Sequence, residues 1–199
     1  MSKHQPEEVR RRQILDAAKR CFIQRGLDAT TIRHIAEAAE LSLGGIYFHY
    51  QSKDEIFRAI CSETYGTVLS RWRSGDSPDD ADSAEARIRA IAESNLRLLE
   101  DDPDHFRLAL VLNGAAVVDP KLKAVKREQH LGFVGYLAGV LERGVDRHEL
   151  VPHDTSAVAE GLVAIFDGLY LRCAIDADVH PRRSALTAID LLVSALRRH

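Results

Sequence analysis

Apolar residues recur along this chain at spacings of three and four from end to end, and no stretch alternates apolar and polar over six positions between turn dipeptides. That period belongs to helices that bury one face, so the chain is expected to be all-α. The first stripe, Ile14, Ala17, Ala18, Cys21 and Phe22, predicts a helix over about 7–25 that Gly26 stops. Thr30 and Thr31 then offer capping hydroxyls to a short helix carrying Ile35 and Ala38. Ser42 caps another, with Leu41 and Ile46 spaced as a hydrophobic staple. Two short helices about four residues apart make a helix-turn-helix candidate. Ser52 caps the next helix, where Asp54 and Glu55 suit the positive end of the dipole, and Ile56, Phe57, Ile60, Val68 and Trp72 carry the stripe to about residue 72.

Residues 74–80 lack apolar side chains and hold both Gly75 and Pro78, the composition of a linker. Beyond them, helices are expected at about 83–100, 104–115, 120–143, 154–176 and 181–198. The breaks fall at Asp102-Pro103, Asp119-Pro120, Gly144 to Pro152, and His180-Pro181. On the helix over 154–176, Val158, Leu162, Ile165 and Leu169 form one stripe, and Ala157, Gly161, Ala164 and Gly168 form a neighbouring stripe of small residues. The last helix carries Leu186, Ile189, Val193 and Leu196, with Leu191 and Leu192 off that line. This is more apolar surface than one intramolecular contact would cover, which leaves either a fully buried core helix or a surface for a partner.

Composition narrows the class. With 45% hydrophobic and 29% charged residues among 199, the chain can bury a substantial core and lies far from the disordered regime. No apolar run approaches the roughly 18 residues of a membrane span, and residues 1–13 are charged where a secretion signal would be apolar. A cytoplasmic protein is expected. Cys21, Cys61 and Cys173 are odd in number, far apart and each within an apolar stripe, so they read as reduced, buried thiols. The net charge of −3 conceals an asymmetry: residues 1–60 carry +2 and the remainder −5, a weak indication of an anion-binding face near the N-terminus.

From Arg11 to Ile60 the sequence RRQILDAAKRCFIQRGLDATTIRHIAEAAELSLGGIYFHYQSKDEIFRAI resembles the DNA-binding domain of the TetR family of bacterial transcriptional regulators. The resemblance is carried by Ala17-Ala18 and Phe22 before Gly26, the Thr30-Thr31 cap, Ile35-Ala36, Ser42, then Tyr47, His49, Tyr50 and Ser52-Lys53-Asp54-Glu55. It implies about nine helices, with a three-helix DNA-binding domain over residues 1–52 and a helical effector-binding and dimerisation domain over 53–199. It also implies a homodimer made by a four-helix bundle from residues 154–198 of each subunit, and a repressor of a near-palindromic operator. Glu40 stands where the family usually has glycine, so the turn holds either a non-glycine residue at positive φ or another geometry.

The residues themselves agree with double-stranded DNA as the partner. A helix capped by Ser42 presents Leu43, Gly44 and Tyr47 on one face while Ile46 and Tyr50 turn inward, so its N-terminal end suits a major groove. Tyr47 and Lys53 are then placed to hold phosphates, with Thr31 and His49 as further phosphate candidates. Arg33 matches a position from which family members read a base, and its fork suits guanine O6 and N7. Leu43 offers at most an apolar contact to a thymine methyl. Gly44 and Gly45, costly inside a helix, fit a close approach to DNA. Arg10, Arg11 and Arg12 read equally as a solvated helix face or as phosphate attractors.

No catalytic constellation emerges. There is no Gly-rich phosphate loop, no G-x-S-x-G elbow and no Glu-x-x-His pair on the long helices, and His148, Glu149, His153 and Asp154 match no metal-ligand rule. Neither an enzyme nor a metal or cofactor site is expected. A helical ligand-binding or adaptor protein without DNA binding is the alternative, against which Arg33, Tyr47 and Lys53 all speak. Phe106, Leu110, Phe133, Tyr136, Phe166 and Tyr170 supply aromatic and apolar walls, and Asn95, Asn113, His130 and Asp167 a few polar groups. That is the composition of a cavity for a small, largely apolar effector.

Overall fold

A computed structural model of the chain describes residues 6–74 and 83–197. Among the described residues the protein is all-α: α1 (Glu7–Ala29), α2 (Ile32–Ala38), α3 (Leu43–His49), α4 (Lys53–Arg73), α5 (Ala84–Asp101), α6 (Pro103–Val118), α7 (Pro120–Asp146), α8 (Thr155–Ile175) and α9 (Pro181–Leu196). The expected linker lies outside the described residues except for Ser74, whose N–H closes α4 on the Ser70 carbonyl at 2.9 Å. Gly26 does interrupt α1, at φ 78°, and one further turn runs on to Ala29. α6 extends to Val118 and α7 to Asp146, each beyond its expected end.

Two compact units form, and each is assembled from separated pieces of chain: residues 1–65 with 107–126, and residues 66–106 with 127–199. In the first unit, the α1 stripe of Ile14, Ala17, Ala18, Cys21 and Phe22 packs with Ile35, Ile46, Tyr50, Ile56, Phe57, Ile60 and Cys61, and Leu108, Leu112 and Leu122 complete the cluster. Each fully buried Ile or Phe contributes about 1.5–3 kcal/mol, which is what holds the short helices in place. In the second unit α9 lies against both α5 and α8. Ile88, Ile91, Leu96, Leu137, Leu141, Leu162, Phe166, Ile189 and Val193 form its interior. Its α5 and α9 surfaces are tied by Arg89 to Asp190 and by Arg182 to Glu93 and Glu100.

Two expectations change. Gly144 lies inside α7, because the helix passes so close to the start of α5 that an added Cβ would stand 2.5 Å from Ala84 Cβ and 2.9 Å from Leu150 Cδ1. The glycine is there for close packing, and the turn comes later, at His148 with φ 60°. Cys173 is half-buried, since α8 turns toward solvent on either side of it, whereas Cys21 and Cys61 are buried free thiols as expected. Burial pushes the Cys61 thiol up to about 11, which keeps it unreactive. Gly144→Ala is expected to cost about 1–3 kcal/mol through overpacking, seen as a lowered melting temperature. An unchanged temperature would show that α5 and α7 are not held at this spacing.

Candidate nucleic-acid interface

α2 begins at a reciprocal cap. The Thr31 hydroxyl accepts from His34 N at 3.2 Å, and His34 Nδ1 accepts from Thr31 N at 3.3 Å, a histidine doing what glutamate usually does. The end of α2 is sealed from α1, whose Gln13 amide donates to Ala39 O at 2.7 Å and whose Arg20 donates to Ala38 O at 3.1 Å. These bonds satisfy carbonyls that a helix terminus leaves open and fix α2 on α1. The turn follows, with Glu40 at φ 54° and Leu41 N bonded to Ala36 O at 2.9 Å. Of the two geometries the sequence allowed, the chain takes positive φ.

α3 starts at Ser42, whose hydroxyl accepts from Gly45 N at 3.1 Å. Ile46 and Tyr50 are buried, so the opposite face is turned outward: Leu43 is 40% exposed, Tyr47 46% and Phe48 79%. Thr31, Arg33, Ser42 and Gly44 are exposed beside them. A Cβ on Gly44 would come no nearer to any neighbour than 3.9 Å, at Ser42 Oγ, so nothing inside the protein requires glycine there. Arg11 lies 4.4 Å from the Tyr50 ring centroid and donates to His49 O at 3.1 Å, bracing the end of α3. Arg10 bonds Gln13, and Arg12 is exposed.

Lys53, an expected DNA contact, carries structural bonds as well. Lys53 Nζ donates to Leu27 O at 2.7 Å and to Thr30 O at 2.9 Å, closing the carbonyl end of α1. His49 is half-buried, edge-on to Phe48, and its Nδ1 finds no partner among the described residues. Sequence reasoning missed His34 and Phe48. For Phe48 a signal existed, since Ile46 and Tyr50 facing inward leave the residue between them facing out.

The expected effector residues divide between the units. Leu110 and Asn113 are half-buried in the first unit. In the second, Phe106 and Tyr170 stack with ring centroids 3.9 Å apart, and Phe166 stands 5.9 Å from Tyr170. Burial, aided by Asp167, raises the Tyr170 phenol above its ordinary range. A second aromatic group joins Phe133 and Tyr136 to Trp72, at 5.1 and 5.7 Å. Buried Asn95 accepts from Trp72 Nε1 at 2.9 Å, and the buried Arg87, unforeseen in the sequence, donates to Tyr136 Oη at 2.7 Å and to Trp72 O. His130 and Asp167 occupy exposed positions. In the loop after α7, Glu149 accepts from Ala84 N, His153 pairs with Val151 O and Asp154 caps α8.

A short helix docked on α1, a turn and a second helix capped to offer one exposed face define a helix-turn-helix DNA-binding protein. Comparison with known proteins makes this specific. The family model for bacterial regulatory proteins of the tetR family matches residues 14–60, and that for the C-terminal part of BetI-type transcriptional repressors matches residues 84–198. The chain is 30% identical to the HTH-type transcriptional repressor Rv1474c of Mycobacterium tuberculosis, over 96% of this chain and 94% of that one. It is 25% identical to the HTH-type transcriptional regulator BetI of Burkholderia thailandensis, over 94% and 95%. A crystal structure of a transcriptional regulator from Pseudomonas aeruginosa PAO1 superposes with a TM-score of 0.82 at 24% identity, covering 96% of this chain and 93% of that one. The chain belongs to the TetR family. It is a DNA-binding transcriptional regulator and not an enzyme, and among the described residues no helix is long and apolar enough to cross a membrane.

The turn gives a direct test of the local geometry. A β-branched residue tolerates positive φ poorly and glycine tolerates it freely, so Glu40→Val is expected to lose about 1–2 kcal/mol of stability and Glu40→Gly to lose none. Equal melting temperatures for the two variants would contradict the turn.

Proposed function

We propose that this regulator is a cytoplasmic repressor that binds a near-palindromic operator as a homodimer and is released by a small, largely apolar effector. Residues 1–52 carry DNA binding and residues 53–199 carry effector binding and dimerisation. The observation that supports DNA reading most is the N-terminal end of α3, where Leu43, Gly44 and Tyr47 are exposed and Gly44 has no internal reason to be glycine. Omitting a side chain there lets the backbone approach a groove. Tyr47, Thr31, His49 and the third N–H of Lys53 hold phosphates, Arg33 reads a guanine edge, and Leu43 meets a thymine methyl.

Dimerisation is supported by α8. Ala157, Gly161, Ala164, Gly168, Leu171 and Ile175 repeat at intervals of four and three residues, and all are exposed, Ile175 to 74%. A Cβ on Gly161 or Gly168 would meet nothing within 4 Å. The opposite side of α8, with Ala159, Leu162, Val163 and Phe166, is buried within the protomer. The fully buried reading of the helix therefore covers one face only, and the small-residue face suits close crossing by a second copy, joined by the exposed Leu191 of α9. The aromatic groups around Tyr170 and Trp72, with Asn95, are the effector's walls. Leu110, Asn113, His130 and Asp167 are the outlying members of that candidate set. α4 belongs by its first part to one compact unit and by its second to the other, which makes it the element through which an effector acts. Coupling of about 1–3 kcal/mol is typical of such switches.

A mobility shift on DNA upstream of its own coding region is expected to show binding that weakens steeply with salt and disappears when either half-site is scrambled. Tyr47→Phe should weaken all sequences alike, Lys53→Ala should do so with some loss of stability, and Arg33→Ala should cost about 1–3 kcal/mol and relax preference at one position per half-site. Salt-independent or sequence-indifferent binding would overturn the assignment. Gly168→Arg should split the dimer or unfold it, read as mass in solution, and a wild-type protein that sediments as a monomer at micromolar concentration refutes the homodimer. Phe133→Ala or Tyr170→Ala should blunt the response to effector while sparing ligand-free operator binding. Two variants that respond like wild type place the pocket elsewhere.

A further inference from the structure

Between the end of α4 and the middle of α5, within one compact unit, lies a groove of about 300 Å³. Among the described residues of its wall, those that carry charge are arginines: Arg71 from α4, Arg87 and Arg97 from α5. The three glutamates of α5 point elsewhere, Glu93 and Glu100 to Arg182 and Glu85 to Arg197. Among the described residues no carboxylate pairs with Arg71 or Arg97. Arg71 also suits the negative end of α4, but Arg97 lies outside the last turn of α5 and has no such role. Arg87 is held in the floor by its bonds to Trp72 O and Tyr136 Oη. Ser74 and Ser94 add hydroxyls, and Trp72 supplies an apolar wall.

Like charges gathered in one concavity repel, and a groove in which Arg71 and Arg97 meet no carboxylate among the described residues suits an anion. The guanidinium fork matches the paired oxygens of a carboxylate or phosphate, and the Ser94 hydroxyl can donate to the same groups, while that of Ser74 is given to Arg71 O at 2.8 Å. The volume stands at the small end of ligand pockets. We infer that this groove binds a small organic dianion through carboxylate or phosphate oxygens, with Arg71 and Arg97 as its principal contacts. The site shares Trp72 with the apolar effector walls but differs from them in chemistry, and its occupancy is read on the DNA-free protein.

The chain has a single tryptophan, and it lines the groove, so its fluorescence reports on this place. Full-length protein is titrated with glutarate, with inorganic phosphate and with the neutral analogue glutaramide. A saturable change in emission is expected with one or both anions and none with glutaramide. Saturation by glutarate alone points to paired carboxylates, and by phosphate alone to a tetrahedral head. Arg71→Gln and Arg97→Gln, both at exposed positions, should each weaken binding about tenfold or more, Arg97→Gln leaving the melting temperature unchanged and Arg71→Gln lowering it slightly through the lost charge at the end of α4. Arg97→Lys, which keeps the charge and loses the fork, should fall between. The inference is overturned if neither anion changes the emission up to about 10 mM, well beyond millimolar affinity, if glutaramide binds equally, or if the glutamine variants bind like wild type.

Discussion

A helix of seven residues does not hold its shape in water, because nucleation costs more than so few hydrogen bonds return. Both helices of the DNA-binding motif are of that length, so everything the protein does with DNA depends on bonds that other elements make to them. α1 supplies most of these. Its Gln13 and Arg20 close the carbonyl end of α2, and its Arg11 closes and stacks upon the end of α3. Ser42 and the Thr31–His34 pair close the other ends, while Ile35, Ile46 and Tyr50 anchor both helices in the core. With their polar ends committed inward, the helices leave side chains such as Arg33, Leu43 and Tyr47 free of internal duty. A rigid frame with an idle outer face is the physical requirement for reading a groove.

Lys53 shows how closely frame and function share residues. Its ammonium closes α1 and retains one donor, so a phosphate contact there would be made by a group already fixed in place. Such a contact loses little side-chain entropy on binding. Tyr47 and Phe48, by contrast, are exposed aromatics that a solitary domain has no reason to display.

Much of this was legible in the sequence because its causes are local. Apolar period, caps at Thr31 and Ser42 and the stop at Gly26 each depend on residues within a turn or two. Gln13 to Ala39 spans 26 residues and Arg20 to Ala38 spans 18, and no periodicity announces such bonds. Gly144 reads as a helix stop when its neighbours in sequence are considered and as a packing requirement only when Ala84 is known to face it. Arg87 was passed over for the same reason. A charged residue on a helix is expected to be solvated, and only the tertiary structure brings Trp72 O and Tyr136 Oη to its guanidinium. The expected effector residues divided for a related reason: composition identified aromatic side chains, but not that the chain would sort them into separate groups.

In the proposed complex the exposed end of α3 enters the major groove twice per duplex, once from each protomer. Methylation of guanine N7 blocks that groove and leaves the minor groove open. Duplexes selected by the wild-type protein from a random pool, then lightly methylated, should show interference in two patches about one helical turn, roughly 34 Å, apart on one face of the DNA. The Arg33→Ala protein should lose interference at one guanine in each patch. A single patch, or binding untouched by methylation at any guanine, would contradict the claim.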